Sequence, residues 1–163
     1  MMPTLRSRRP APFVWLACLG LPVLLLGPSL ARASDDEAVQ KREIEQLQGV
    51  WTLESMEIDG RKADVDSTRG WFLVIRGDQY NPGSSQTSVE YTYRIDPERN
   101  PKAIDLIPHD GSFKGRQLRG IYVIKGDRLT ICRARTPDGE RPAGFSSRVD
   151  SGLVVTVWKR RKR

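Results

Sequence analysis

The chain has 163 residues and a formal net charge of +7, from 27 basic and 20 acidic side chains. Four basic residues precede position 34 and five form the run Lys159–Arg163, which leaves 18 basic against 20 acidic residues in between. Because the excess charge lies at the two ends, without a basic stripe of interleaved aromatic residues, the composition argues against nucleic acid as the main partner.

The first 33 residues have the pattern of an export signal. Three arginines precede an apolar run over residues 13–30, and Ala31-Arg32-Ala33 offers the small-x-small pattern that signal peptidases recognise. We predict cleavage after Ala33 and an exported protein, periplasmic or secreted. A retained membrane anchor is the alternative, because a run of this length is near the lower limit for a span. Two prolines interrupt the run, which favours cleavage.

A short charged helix is predicted over residues 34–48, with Ser34 and two aspartates as N-terminal caps. The stretch Leu47-Gln48-Gly49-Val50-Trp51 then joins this helix to the first strand. Gly49 can adopt the backbone angles of such a turn without steric cost. Trp51 brings a large apolar surface that can close one end of a sheet.

From Gly49 to Arg160 the pattern predicts strands and tight turns. Seven segments are densely apolar or alternate apolar and polar residues: Val50–Ile58, Gly70–Arg76, Val89–Ile95, Ala103–Ile107, Leu118–Ile124, Leu129–Ala134 and Leu153–Arg160. An eighth strand falls either at Gln79–Tyr80 or at Phe145–Arg148. Residues 161–163 remain as a basic tail.

The first strand changes phase along its length. Trp51 and Leu53 share one face, whereas Met56 and Ile58 share the other. Such a switch predicts a bulge or bend near Ser55.

Short turns join these strands, with no helix-length pattern between them, which indicates an antiparallel meander closed as a barrel or folded as a sandwich. Closure is favoured because it removes exposed edges. We predict one all-β domain over residues 49–160: an up-and-down antiparallel β-barrel of about seven or eight strands, preceded by one short helix.

Motifs for catalysis or metal binding are not found. His109 is the only histidine and lies in the loop Pro108-His109-Asp110-Gly111, and Cys132 is the only cysteine after the leader. Because its neighbours predict a strand, Cys132 is expected to be buried and inert. Without a nucleophile elbow, clustered metal ligands or a phosphate-binding loop, we predict no catalytic residue, no metal site, no cofactor and no enzymatic activity.

Several blocks along the chain resemble a family of short secreted planctomycete proteins of unknown function. The resemblance covers about Leu47 to Arg160 and includes Leu47-Gln48-Gly49-Val50-Trp51, Ile58-Asp59-Gly60, Asn100-Pro101-Lys102-Ala103-Ile104-Asp105-Leu106, Gly120-Ile121-Tyr122, Gly126-Asp127-Arg128-Leu129-Thr130-Ile131-Cys132, Glu140-Arg141-Pro142 and Phe145-Ser146-Ser147. The family looks lipocalin-like, through Gly49-Val50-Trp51 after a short helix. The resemblance implies a lipocalin-like barrel in which Lys159 or Arg160 packs across Trp51 by a cation–π contact.

A barrel of this size can hold one small ligand or fill itself with side chains. We expect it to bind a small apolar or aromatic molecule, or a lipid, and the candidate lining residues are Trp51, Tyr91, Tyr93, Tyr122 and Trp158. Plain core is the alternative role of these rings. The alternative function is a solid barrel that contacts proteins or an anionic envelope surface through its loops and the basic run Lys159–Arg163.

Overall fold

The computed structural model describes residues 29–162, which form two helices and one antiparallel sheet. Helix α1 spans Ser29–Leu47, and α2 is a single turn at Val65–Thr68. The strands are β1 (Gly49–Ile58), β2 (Arg61–Lys62), β3 (Phe72–Arg76), β4 (Gln79–Gly83), β5 (Tyr91–Asp96), β6 (Ala103–Pro108), β7 (Leu118–Lys125), β8 (Arg128–Ala134) and β9 (Leu153–Arg160).

Residues 1–28 of the predicted leader lie outside the described range, so the leader and its cleavage stay predictions. Helix α1 begins within the last five residues of that predicted segment. Neither helix in the described range has the length and apolar character that a membrane span needs.

The sheet closes on itself. Strand β1 pairs with β3, the strands then follow in chain order to β9, and β9 pairs back with β1. Eight strands therefore form a barrel. The short β2 lies outside this closed set and pairs only with the last two residues of β1. The predicted all-β fold, an antiparallel barrel with a helix before it, is confirmed.

All seven predicted strands are present, with ends that differ by at most two residues. The eighth is β4, Gln79–Gly83, which pairs with β3 along its whole length. The other candidate, Phe145–Arg148, has no strand structure. The predicted phase change in β1 is also confirmed, because the β1–β9 register shifts between Leu53 and Ser55.

Because of the bulge, the apolar side chains of β1 point into the barrel both before and after the register shift. Leu53 lies opposite Trp158 before the shift, and Met56 lies opposite Thr156 after it. Side chains alternate along β9, so Thr156 and Trp158 share one face, and Leu53 and Met56 both point into the barrel.

One end of the barrel is closed by Trp51, which is fully buried. Its indole nitrogen donates a hydrogen bond to the carbonyl of Leu47 at the end of α1, at 3.0 Å. The guanidinium carbon of Arg160 lies 4.0 Å from the centroid of the Trp51 ring. Arg160 also donates to the carbonyls of Gln46 and Gln48, the second at 2.7 Å. These contacts join the helix, the first strand and the last strand.

Gly49 is required at this junction for two reasons. Its φ of +130° is one that other residues rarely adopt, and an added Cβ would lie 3.1 Å from Nη1 of Arg160. Of the two basic residues that the resemblance puts forward, Arg160 contacts Trp51. Lys159 is exposed, because neighbouring residues of a strand point to opposite faces.

Replacing Arg160 with methionine should destabilise the protein by roughly 2–4 kcal/mol. The variant loses the cation–π contact and leaves two carbonyls at the end of α1 without their charged donor. Urea unfolding monitored by tryptophan fluorescence measures the change. Lys159→Met is the matched control and should shift the free energy of unfolding by less than about 0.5 kcal/mol. Equal effects of the two substitutions would contradict the role given to Arg160.

Candidate ligand cavity at the open end of the barrel

The closed half of the interior is filled by side chains whose polar tips bind other parts of the protein. The hydroxyl of Tyr93 donates to the carbonyl of Gly77 at 3.0 Å and accepts from the amide of Gln48 at 3.1 Å. The hydroxyl of Tyr122 donates to Glu43 of α1 at 3.1 Å. With these partners in place, neither tyrosine tip is available to a guest.

Burial raises the pKa of Tyr122 above its ordinary range, and the neighbouring Glu43 carboxylate raises it further. The tyrosine therefore keeps its proton at any physiological pH and remains a donor to Glu43. Glu43 also forms an ion pair with Lys102, which precedes β6. This network holds the C-terminal half of α1 over the barrel end.

The open half of the interior contains a cavity of about 290 Å³. Its wall is mostly apolar and aromatic, and is formed by Met56, Ile58, Trp71, Tyr80, Pro82, Gly83, Thr87, Val89, Tyr91, Leu106, Arg133, Val154, Thr156 and Trp158. This volume lies at the lower end of the range for small-molecule sites, which starts at about 300 Å³. Such sites also have mostly apolar and aromatic walls, with a few polar groups that orient the ligand.

The structure divides the five predicted lining residues between the two halves. Tyr91 and Trp158 form part of the cavity wall. Trp51, Tyr93 and Tyr122 belong to the packed core and do not line the cavity. A guest in the cavity therefore contacts two of the five.

Aromatic side chains fix the shape of the cavity. The rings of Tyr80 and Tyr91 meet edge to face, with centroids 6.0 Å apart and planes at 85°. Elsewhere on the wall, Nε1 of Trp158 donates to the hydroxyl of Thr156 at 2.9 Å. The Thr156 hydroxyl keeps its own hydrogen for another acceptor.

Arg133 is the one charged residue among the described residues that line the cavity. It lies in β8 opposite Gly120 on one side and Val154 on the other. Its hydrogen bond within the described part of the chain goes from Nη1 to the carbonyl of Ala134, at 3.0 Å. No carboxylate of the described residues lies within ion-pair distance of it.

Neither Arg133 nor Tyr80 is among the lining residues predicted from the sequence. A signal for Arg133 was present, because Leu129, Ile131 and Arg133 alternate in one phase, and the first two are buried in the interior core. An arginine in the apolar phase of a strand therefore points into the barrel. The sequence did not assign Tyr80 to the barrel wall, because two segments, Gln79–Tyr80 and Phe145–Arg148, were candidates for the eighth strand.

Cys132 lies on the outer face of β8, where it packs with Ile121 and Val155 and is fully buried. Burial raises the pKa of the thiol to about 11, with a smaller contribution from the charge of Glu57. The expected buried cysteine is confirmed. His109 is exposed in its loop. Within the part of the chain that the structure describes, no group of three His, Cys, Asp or Glu side chains is placed to hold a metal ion.

A second concavity lies on the outside of the closed end. It is an open groove of about 830 Å³ beside β1 and β3, and its basic residues include Arg76, Arg161 and Lys162. The groove is exposed to solvent and less enclosed than the interior cavity, so it suits a charged surface better than a small apolar guest.

Comparisons of this chain with protein-family models, with curated proteins and with solved structures give no significant match. The function is therefore inferred from the cavity itself.

Raising the pH should reduce the contribution of Cys132 to stability. The thiol has a higher pKa in the folded state than its ordinary value of 9.0. Between pH 9 and 11 the unfolded chain releases a proton that the folded protein retains, so rising pH favours unfolding. We expect the free energy of unfolding of the wild type, relative to Cys132→Ala, to fall by about 2 kcal/mol over this interval. Urea unfolding at several pH values measures the difference.

Ile75→Val is the matched control, because it shortens a buried side chain of the interior core without changing the cluster around the thiol or removing a titrating group. Its difference from the wild type should not change between pH 9 and 11. A constant difference for Cys132→Ala as well would show that the thiol does not titrate in this way.

Proposed function

We propose that this protein, once exported, binds a small apolar or aromatic molecule in the cavity at the open end of its barrel. The observation that carries the proposal is the interior cavity of about 290 Å³ with its apolar and aromatic wall. An engineered apolar cavity of about 150 Å³ takes up benzene. Roughly twice that volume suits a substituted ring or a short alkyl chain.

The wall favours a flat or flexible apolar guest. Four aromatic side chains contribute to it, namely Trp71, Tyr80, Tyr91 and Trp158. Aromatic faces and edges stabilise a bound ring beyond the burial of its area. The depth is limited by the packed closed half, so the guest is a small molecule or part of a lipid chain.

Binding is proposed in preference to catalysis because of the groups that face the guest. Among the described lining residues there is no histidine, cysteine or carboxylate, and the hydroxyls are those of tyrosine and threonine. These groups orient a ligand, whereas a nucleophile paired with a general base is the usual requirement for covalent catalysis. The predicted export signal and the resemblance to short secreted planctomycete proteins support a location outside the cytoplasm.

Filling the cavity should abolish binding of the neutral fluorescent probe N-phenyl-1-naphthylamine. We expect the wild type to enhance its fluorescence with a saturating titration. Val89→Trp places an indole at the wall of the cavity, where the native side chain is only partly buried, and should weaken probe binding at least tenfold. The measurement is a fluorescence titration of both proteins.

Val149→Trp is the matched control, since Val149 is 66% exposed in a loop outside the cavity wall. It should bind the probe like the wild type. Absence of probe binding to the wild type, or equal binding by the two tryptophan variants, would refute the proposed site.

A second candidate function is contact with an anionic envelope surface. The observation in its favour is the groove with Arg76, Arg161 and Lys162 along it. Cations close to an anionic membrane contribute about 1 kcal/mol each, and salt screens the attraction. Arg160 is occupied by its contact with Trp51, whereas Arg161 and Lys162 are exposed and line the groove.

Changing Arg161, Lys162 and Arg163 together to glutamine should abolish association with phosphatidylglycerol vesicles at low salt. Cosedimentation measures it, and wild-type binding should disappear at about 0.5 M salt. Arg148→Gln, an exposed loop position, is the control. If the triple variant binds as strongly as the wild type, the basic tail is not the contact.

A further inference from the structure

We propose that the ligand of the cavity carries a single carboxylate, and that Arg133 binds this group while the apolar body occupies the rest of the cavity. The inference rests on the proposed function and specifies its ligand class: a small monocarboxylic acid with an aliphatic or aromatic body.

The position of Arg133 follows from the register of the barrel. Ile131 is buried in the core and lies opposite Thr156 of β9. Arg133 follows two residues later in β8, lies opposite Val154, and therefore faces the same interior. Its neighbour on the other side is Gly120, which contributes no side chain. Arg133 therefore lines the cavity with no side chain beside it on the β7 side.

Among the described residues, the other partly buried arginines are Arg141, which pairs with Asp105, and Arg160, which donates to two carbonyls. Ion pairs join Arg69 to Asp66, Arg116 to Asp138, Arg128 to Glu54, Arg135 to Asp59 and Arg141 to Asp105. Arg133 is partly buried and has one carbonyl acceptor. A guanidinium has five N–H donors, so four remain for a guest. A partly buried cation without a charged partner is costly, and a bound carboxylate would offset that cost.

Two hydroxyl groups add to this receptor. Tyr80 is buried, and its hydroxyl has no hydrogen-bond partner among the described residues, although it lines the cavity. Burial raises the pKa of Tyr80, and the charge of Arg133 opposes the rise. The neutral hydroxyl is therefore a donor within the electrostatic reach of the guanidinium. Thr156, also on the cavity wall, has a hydrogen to donate as well.

A monocarboxylate fits this arrangement better than a phosphate. The planar fork of one guanidinium matches the two oxygens of a carboxylate. A phosphate monoester carries nearly two negative charges, and one arginine would leave the second charge in an apolar site. Asp110 lies in the adjoining groove that Arg133 also borders. Its charge disfavours a dianion further.

The test compares octanoate with octanamide as competitors of N-phenyl-1-naphthylamine at pH 8. The two molecules share a chain and differ in the charge of the head group. An apolar cavity without a cation prefers the amide, because a carboxylate costs more to remove from water. We expect the wild type to bind octanoate about ten- to a hundredfold more tightly than octanamide.

Arg133→Gln should reverse this preference while the neutral probe still binds. Arg119→Gln is the matched control: it removes the same charge from an exposed strand position that has no ion pair with a described residue and does not line the cavity. It should retain the preference for octanoate. Thermal unfolding and circular dichroism establish that each variant is folded, and Arg133→Met serves in the same role if Arg133→Gln does not fold.

The outcomes separate the two proposals. If the wild type does not bind the neutral probe, the proposed function fails. If it binds the probe but prefers octanamide or shows no preference, the carboxylate inference alone is overturned. An octanoate preference that survives in the folded Arg133 variant overturns that inference as well. Equal loss of preference in Arg119→Gln would assign the effect to general charge and also overturn the role of Arg133.

Discussion

The contact on which the rest of the structure depends is that of Arg160 with Trp51. One side chain from the last strand covers the buried indole of the first strand and also holds two carbonyls at the end of α1. One guanidinium therefore fixes α1 and β1 to β9, which is distant from both in sequence. Because the carbonyls at a helix C-terminus carry partial negative charge, a cation is the natural partner there. Gly49 leaves the space in which this cation lies.

This junction also decides where the barrel is solid and where it is hollow. At the closed end the polar tips of Tyr93 and Tyr122 are bound to Gly77, Gln48 and Glu43. At the other end an aromatic cavity remains. The same type of side chain therefore has two roles. Tyr93 and Tyr122, whose hydroxyls are hydrogen-bonded, belong to the core, whereas Tyr80 and Tyr91 form part of the cavity wall.

The alternation of apolar residues predicted most of the fold, because each strand buries one face. The alternation also predicted the bulge of β1, because the apolar positions change phase between Leu53 and Met56. The eighth strand was ambiguous: β4 contains a proline and a glycine, and its pairing with β3 overrides their low strand propensity. Sequence spacing alone does not decide whether Lys159 or Arg160 contacts Trp51, because that depends on strand register. It also does not reveal that Arg133 has no ion-pair partner among the described residues, because that depends on neighbours in three dimensions.

Closure by the first and last strands also constrains the order of assembly. Gln48 and Arg160 are 112 positions apart, and seven residue pairs join β1 to β9. No growing chain can complete the cylinder before Leu153–Arg160 has emerged, and until then the edges of β1 and β8 lack their partners. Such long-range pairing makes folding slow and cooperative. Until the last strand arrives, the open sheet therefore presents two unpaired edges, which is where sheets pair with strands of other chains.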